Sequence, residues 1–157
     1  MIGDLYLDSH LQGADRAEAL KAVLAAYRAH PQVAAAFSKA EIAATPMPSG
    51  DPRPWSLLQR ARASFDPERS GDVYVVLKPN ITPIGHAAGS VATHGSPWDY
   101  DRRVPMIFWR PGFRGATVDA SADTVDIMPT LAAMIGLPIA AGSVDGHCLQ
   151  GTPAACP

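Results

Sequence analysis

The run Asp72-Val73-Tyr74-Val75-Val76-Leu77 limits what this chain can fold into more than any other stretch. Its continuous apolar and β-branched character, starting just after Gly71, fits a strand buried on both faces rather than one with a solvated side. Such strands belong to sheets covered by helices, so the predicted fold class is α/β. Val104 to Trp109 forms a second apolar run and is predicted as another buried strand. Between the two, Lys78 to Thr93 carries Pro79, Pro83 and Gly85 and reads as a loop that delivers His94 to the rim of the sheet.

The helices needed to cover a sheet are also legible. Leu20, Val23, Leu24 and Tyr27 recur at helical period after Asp15 and Glu18, which have capping-box spacing, and Pro31 ends this amphipathic helix near His30. Its other face carries Arg16, Lys21 and Arg28, expected to be solvated. Asp4 to Asp8 suits a short opening strand and Gln32 to Ser38 a further one. Residues 45 to 54 hold four prolines and are expected to be irregular. Leu57, Leu58, Ala61 and Phe65 give a helix ended by Asp66-Pro67, on which Arg60 and Arg62 read as ordinary helix-face residues. Pro129 is tolerated only in a first turn, which places the start of the last helix near Val125, with Asp126 favourable to its dipole and Gly136 at its stop.

At 157 residues with 47% hydrophobic content, the chain is expected to form a single domain spanning 1–157 with one core. Thirteen basic and 15 acidic residues are scattered without a basic stripe, and the 7% of aromatic residues are not interleaved with Lys or Arg, so no nucleic-acid partner is expected. Met1-Ile2-Gly3-Asp4 has neither a basic start nor an apolar core, so no signal peptide is read here. The uncharged stretch from Ile127 to Val144, broken by Pro129 and Pro138, reads as a helix and loop, and no membrane partner is expected. Cys148 and Cys156 lack Cys-x-x-Cys spacing, which excludes a zinc knuckle; a disulfide in an oxidising compartment and two unpaired thiols both stay open.

The densest chemistry lies in Thr93-His94-Gly95-Ser96-Pro97-Trp98-Asp99-Tyr100-Asp101-Arg102-Arg103. A neutral imidazole on a loop held by a strand makes a good zinc ligand, especially where a carboxylate or carbonyl orients it, and Gly95 removes bulk beside it. Spacing alone leaves open the alternative that His94 and Asp101 only satisfy loop hydrogen bonds. His86 and His147 read as exposed. Ser90 in Gly89-Ser90-Val91 is no nucleophile elbow.

The run from Thr93 to Trp109 resembles the Thr-His-Gly, Tyr-Asp-x-x-Val-Pro segment of the alkaline phosphatase superfamily, in particular the bacterial phosphatases related to phosphodiesterase/nucleotide pyrophosphatases. Arg69 to Pro79, Thr124 to Ala132 and Val144-Asp145-Gly146 agree in order. The resemblance implies the C-terminal part of an alkaline phosphatase-like sandwich, with a mixed, mostly buried sheet flanked by helices. It implies that His94 is a ligand to one of two catalytic zinc ions and that Asp126 holds the start of the last helix; Asp101, if it only braces the loop, is a supporting group. It also implies a phosphate-ester substrate, chemistry of the phosphomonoesterase kind and a periplasmic or secreted parent enzyme. Departures from the family pattern matter equally. No Asp-His dipeptide, no Asp-x-x-x-His set and no Thr or Ser nucleophile is recognisable, so the missing N-terminal portion of the catalytic domain becomes an expected partner. Two alternatives stand beside this reading: a non-catalytic fragment or interaction domain, and part of a phosphodiesterase/nucleotide pyrophosphatase.

Overall fold

A computed structural model describes residues 3–83, 88–89, 92–154 and 156. The chain forms two compact units, Met1–Val104 and Pro105–Pro157.

In the first unit the order is β1 (Asp4–Leu5), α1 (Gly13–Ala29), β2 (Val33–Ser38), α2 (Lys39–Ala44), α3 (Leu57–Ala63), β3 (Val73–Leu77) and α4 (Asp99–Arg102). The run identified first in the sequence becomes the centre of a three-stranded sheet in the order β1-β3-β2. Both pairings are antiparallel, with Leu5 opposite Val73 and Phe37 opposite Tyr74. The α/β class therefore holds, whereas the mixed sheet does not: among the described residues every strand pairing is antiparallel. Val73 and Val75 point to one face, where Leu20, Val23, Leu24 and Tyr27 of α1 pack against them together with Val33 and Ala36. Val76 alternates to the opposite face and is equally buried. Each of these valines contributes about 1.5–3 kcal/mol by leaving water. Gly71, just before β3, is required by closeness rather than flexibility, since a Cβ there would lie 2.6 Å from the Leu5 carbonyl oxygen.

Several local expectations change on inspection. The first helix starts after Gln12, which makes no side-chain cap, so the Asp15–Glu18 box does not form. Two boxes that do form begin instead with Ser38 and Ser56. The Ser38 hydroxyl accepts from the Glu41 amide at 3.1 Å while the Ser38 amide donates to the Glu41 carboxylate at 2.7 Å, and Ser56 and Gln59 repeat the pattern. The first of these starts α2, a helix hidden in the sequence because Ser38 also ends a strand. Arg16 and Arg28 are not merely solvated. Arg16 pairs with Asp72 at the mouth of β3, and Arg28 grips both Glu41 oxygens and donates to the Ala36 carbonyl at 2.9 Å.

The second unit contains a 3-10 turn, Thr124–Asp126, leading into α5 (Ile127–Met134), with Pro129 in its first turn as expected. Val104 to Trp109, predicted as a buried strand, pairs with no strand among the described residues and exposes Ile107 at 83% and Trp109 at 77%. The run has strand chemistry, but a strand exists only where a ladder completes its backbone hydrogen bonds. Asp126 is buried and accepts the Asp123 amide at 2.9 Å and the His147 amide at 2.8 Å. Thr130 is fully buried; its hydroxyl donates to the Asp126 carbonyl at 2.7 Å and accepts from the Leu149 amide at 3.0 Å. Cys148 and Cys156 form a disulfide, with Cα atoms 5.5 Å apart, which settles the alternatives left open by their spacing. Among the described residues no helix is long and apolar enough to cross a membrane.

Candidate functional site

His94 lies in the loop between β3 and α4 and is exposed. The loop around it is held at several points. Gly95 has φ of 87°, in the left-handed region where a side chain is strained, so the chain turns immediately after the histidine for a reason only glycine satisfies well. The Ser96 amide donates to Asp101 Oδ2 at 2.9 Å. The hydroxyl and amide of Ser96 hold the Asp101 carboxyl below its usual range, and the nearby His94 adds to the effect against a smaller opposing push from burial. Asp101 thereby satisfies a loop hydrogen bond, one of the two readings its spacing left open.

Four further residues tie the same loop and α4 to the rest of the first unit. Trp98 Nε1 donates to the Leu77 carbonyl at 2.9 Å, fastening the loop to the end of β3. Arg60 is nearly buried and reaches four partners: the carbonyls of Trp55 at 2.9 Å, Pro97 at 2.7 Å and Arg53 at 3.2 Å, and Asp99 Oδ1 at 3.2 Å. The hydroxyl of Tyr100 accepts from the Asn80 amide at 3.0 Å, where Asn80 itself has φ of 62°. Arg102 donates to the Pro52 carbonyl at 2.9 Å; burial and the neighbouring Arg60 pull its pKa down, while Asp99 opposes them. At this loop, Arg60 is a residue that sequence reasoning misjudged. Its helical neighbours look ordinary, and the partners that give it a role lie 37 and 39 positions away along the chain.

The resulting cleft, lined by residues of β3 with Thr93, His94 and Trp98, has a volume of about 40 Å³. A tetrahedral zinc site needs about four donors. Among the described residues no group of three or more His, Cys, Asp or Glu side chains is gathered as a metal would require. With Asp101 bonded to Ser96, the described residues around His94 fit zinc as one imidazole of a site completed by other donors. His147 sits with its side chain 90% exposed beside Asp126, in keeping with a surface position. His86 and Ser90 lie outside the described residues.

No protein-family model matches the chain. Two curated relatives do. The alkaline phosphatase PhoK of Sphingomonas sp. is 55% identical over 150 residues, covering 94% of this chain and 27% of that protein. The alkaline phosphatase PhoD of Zymomonas mobilis subsp. mobilis is 48% identical over 151 residues, covering 96% of this chain and 26% of that protein. The chain thus spans about a quarter of the length of the curated relatives it matches. The likeness first seen in the histidine loop extends along nearly the whole chain, which is similar throughout to about a quarter of these two alkaline phosphatases.

Proposed function

We propose that this chain is the C-terminal segment of a single, larger catalytic domain, an alkaline phosphatase-like sandwich that hydrolyses phosphate monoesters with two zinc ions, and that His94 is a ligand to one of them. The observation that carries the reading is the position of His94: an exposed imidazole on a loop fastened by Asp101, Arg60 and Trp98, beside the end of the central strand. Bound zinc would supply Lewis acidity toward a phosphoryl or leaving oxygen. This chain's own part is positional. The Ser96–Asp101 bond and the Arg60 contacts fix where the ring can reach, which limits the freedom lost when it is captured as a ligand. The disulfide supports a periplasmic or secreted setting, where such bonds persist. A second reading, favoured by the absence of a donor cluster among the described residues, makes the separate chain non-catalytic until joined to the rest of the domain.

The test uses the complete protein carrying this segment, with zinc content and p-nitrophenyl phosphate turnover as readouts. His94→Ala should lose zinc from one site and nearly all turnover. Asp101→Asn should lower activity on the order of 10- to 100-fold, as expected for a group that orients a ligand. Full zinc stoichiometry and full activity in His94→Ala would sink the proposal.

A further inference from the structure

Asp145-Gly146 is the one place in the chain where glycine follows aspartate. That order has a chemical consequence, because an amide nitrogen with no Cβ beside it can reach the preceding carboxyl carbon and close a five-membered ring. The prolines after Asp51 and Asp66 have no N–H with which to attack, and Asp8, followed by Ser9, accepts the His10 amide at 2.9 Å. Asp145 is exposed, and among the described residues nothing engages its carboxylate or the Gly146 amide. Neither reacting group has a protein partner to give up.

A clamp lies immediately beyond. Gly146 passes so near the Val125 carbonyl that a Cβ would overlap it. The His147 amide then donates to Asp126 Oδ1 at 2.8 Å and the Leu149 amide to Thr130 Oγ1 at 3.0 Å, with Cys148 between them tied to Cys156. Ring closure draws the Gly146 nitrogen toward the Asp145 side chain, so it requires this clamp to open.

We propose that Asp145-Gly146 is a site of spontaneous isoaspartate formation, restrained by the Asp126–Thr130 clamp, and that the isomerised chain can no longer close that clamp. The Gly146 nitrogen bonds to Asp145 Cγ, and its proton leaves with a carboxyl oxygen as water. Water then adds back at one of the two ring carbonyls. Attack at Cγ breaks the new bond and restores aspartate. Attack at the main-chain carbonyl breaks the original peptide bond and leaves Gly146 joined through Cγ. The water lost at closure is regained, so mass is unchanged. The product has one more methylene in its main chain and a carboxylate on Cα. That methylene shifts the amides of residues 147 and 149 away from acceptors that α5 holds in place, leaving the buried Asp126 and Thr130 short of partners. Opening permits ring closure and isoaspartate favours opening, so the change accumulates.

The test incubates the 157-residue chain for weeks in neutral heavy-oxygen water and then digests it in ordinary water. Each passage through the ring leaves one heavy oxygen at residue 145, and isoaspartate there resists a protease that cuts before aspartate. Label at Asp145 should be several times that at Asp8, and it should form faster in urea, where the clamp is gone. Asp126→Ala should raise the rate in native buffer about tenfold or more, toward the urea value. Thr130→Val, which removes only the Leu149 acceptor, should lie between. Hydrogen exchange at Leu149 and along α5 should be faster in the purified isomerised chain than in fresh protein. Asp145→Glu, which would need a larger ring, should stay unlabelled at that position and keep its exchange pattern on ageing. Label at Asp145 no greater than at Asp8 overturns the proposal, and so does an isomerised chain whose exchange matches that of fresh protein. Equal rates in wild type, Asp126→Ala and urea would overturn the restraint by the clamp.

Discussion

Among the described residues of the first unit a valine cluster faces inward, with Val73, Val75 and Val76 almost wholly out of water; in the second the buried positions include Asp126 and Thr130, while Ile107, Trp109 and Ile135 are exposed. The first unit is organised as small domains usually are, a hydrophobic strand wrapped by helices whose ends are capped. The second is organised around hydrogen bonds. Asp126 collects two amides, Thr130 bridges α5 to Leu149, and Gly146 lets the chain pass so near the Val125 carbonyl that any Cβ would collide with it. The contrast shows that a stretch rich in Ile, Leu, Val and Trp need not own a core. Composition counts apolar residues, whereas a core requires that they converge.

This contrast can be broken most forcefully at Val75. Val75→Asp places an unpaired carboxylate where the side chain is 1% exposed, and the first unit should lose about 4 kcal/mol or more, enough to unfold it. Urea titration followed by tryptophan fluorescence reads the loss, and a midpoint shift of under a quarter of that size would refute the account of β3 as the organising element. In the second unit the equivalent target is polar. Asp126→Ala orphans the Asp123 and His147 amides and should cost about 2–3 kcal/mol. Hydrogen exchange of the α5 amides is the measure: protection equal to wild type would mean that the network is ornamental, and Asp126→Asn, which keeps one acceptor, should fall between.

The smallest effect concerns acid. Burial alone would raise the Asp72 carboxyl, but the Leu7 amide, Arg16 and Lys39 together bring it below its usual value; Glu41 is lowered first by the Ser38 amide, and also by the Ser38 hydroxyl and Arg28, against burial. A carboxylate depressed in the folded state contributes stability that is fully present above its unfolded pKa, about 4, and is lost as pH falls through the folded value. Because Arg16, Arg28 and Glu41 are a third or more exposed, each pair should supply about 1 kcal/mol or less. The urea midpoint of wild type should therefore decline below about pH 4 more steeply than that of Asp72→Asn/Glu41→Gln. Parallel slopes would show that these pairs do not couple folding to protons.

What the sequence disclosed followed from local chemistry. The apolar run at 73–77, the helix stop at Pro31 and the first-turn Pro129 each act over a few residues, and each appears where expected. The failures share a cause in distance. Arg16 needs Asp72, Arg60 needs Pro97 and Asp99, and Val104 to Trp109 needs a partner strand, of which the described residues show none. Ser38 hid α2 because one residue ends a strand and caps a helix. For the candidate site, the motif singled out His94 and the structure adds how its loop is held; among the described residues no donor cluster accompanies it.

The Cys148–Cys156 bond closes a ring of nine residues at the edge of the second unit, and Leu149, inside that ring, donates its amide to Thr130. Peptide-bond cleavage anywhere between the two cysteines would therefore open the ring without releasing a piece. The severed end would stay tethered through sulfur, and the polypeptide, though cut, would remain one molecule of undiminished mass until a reductant separated the parts.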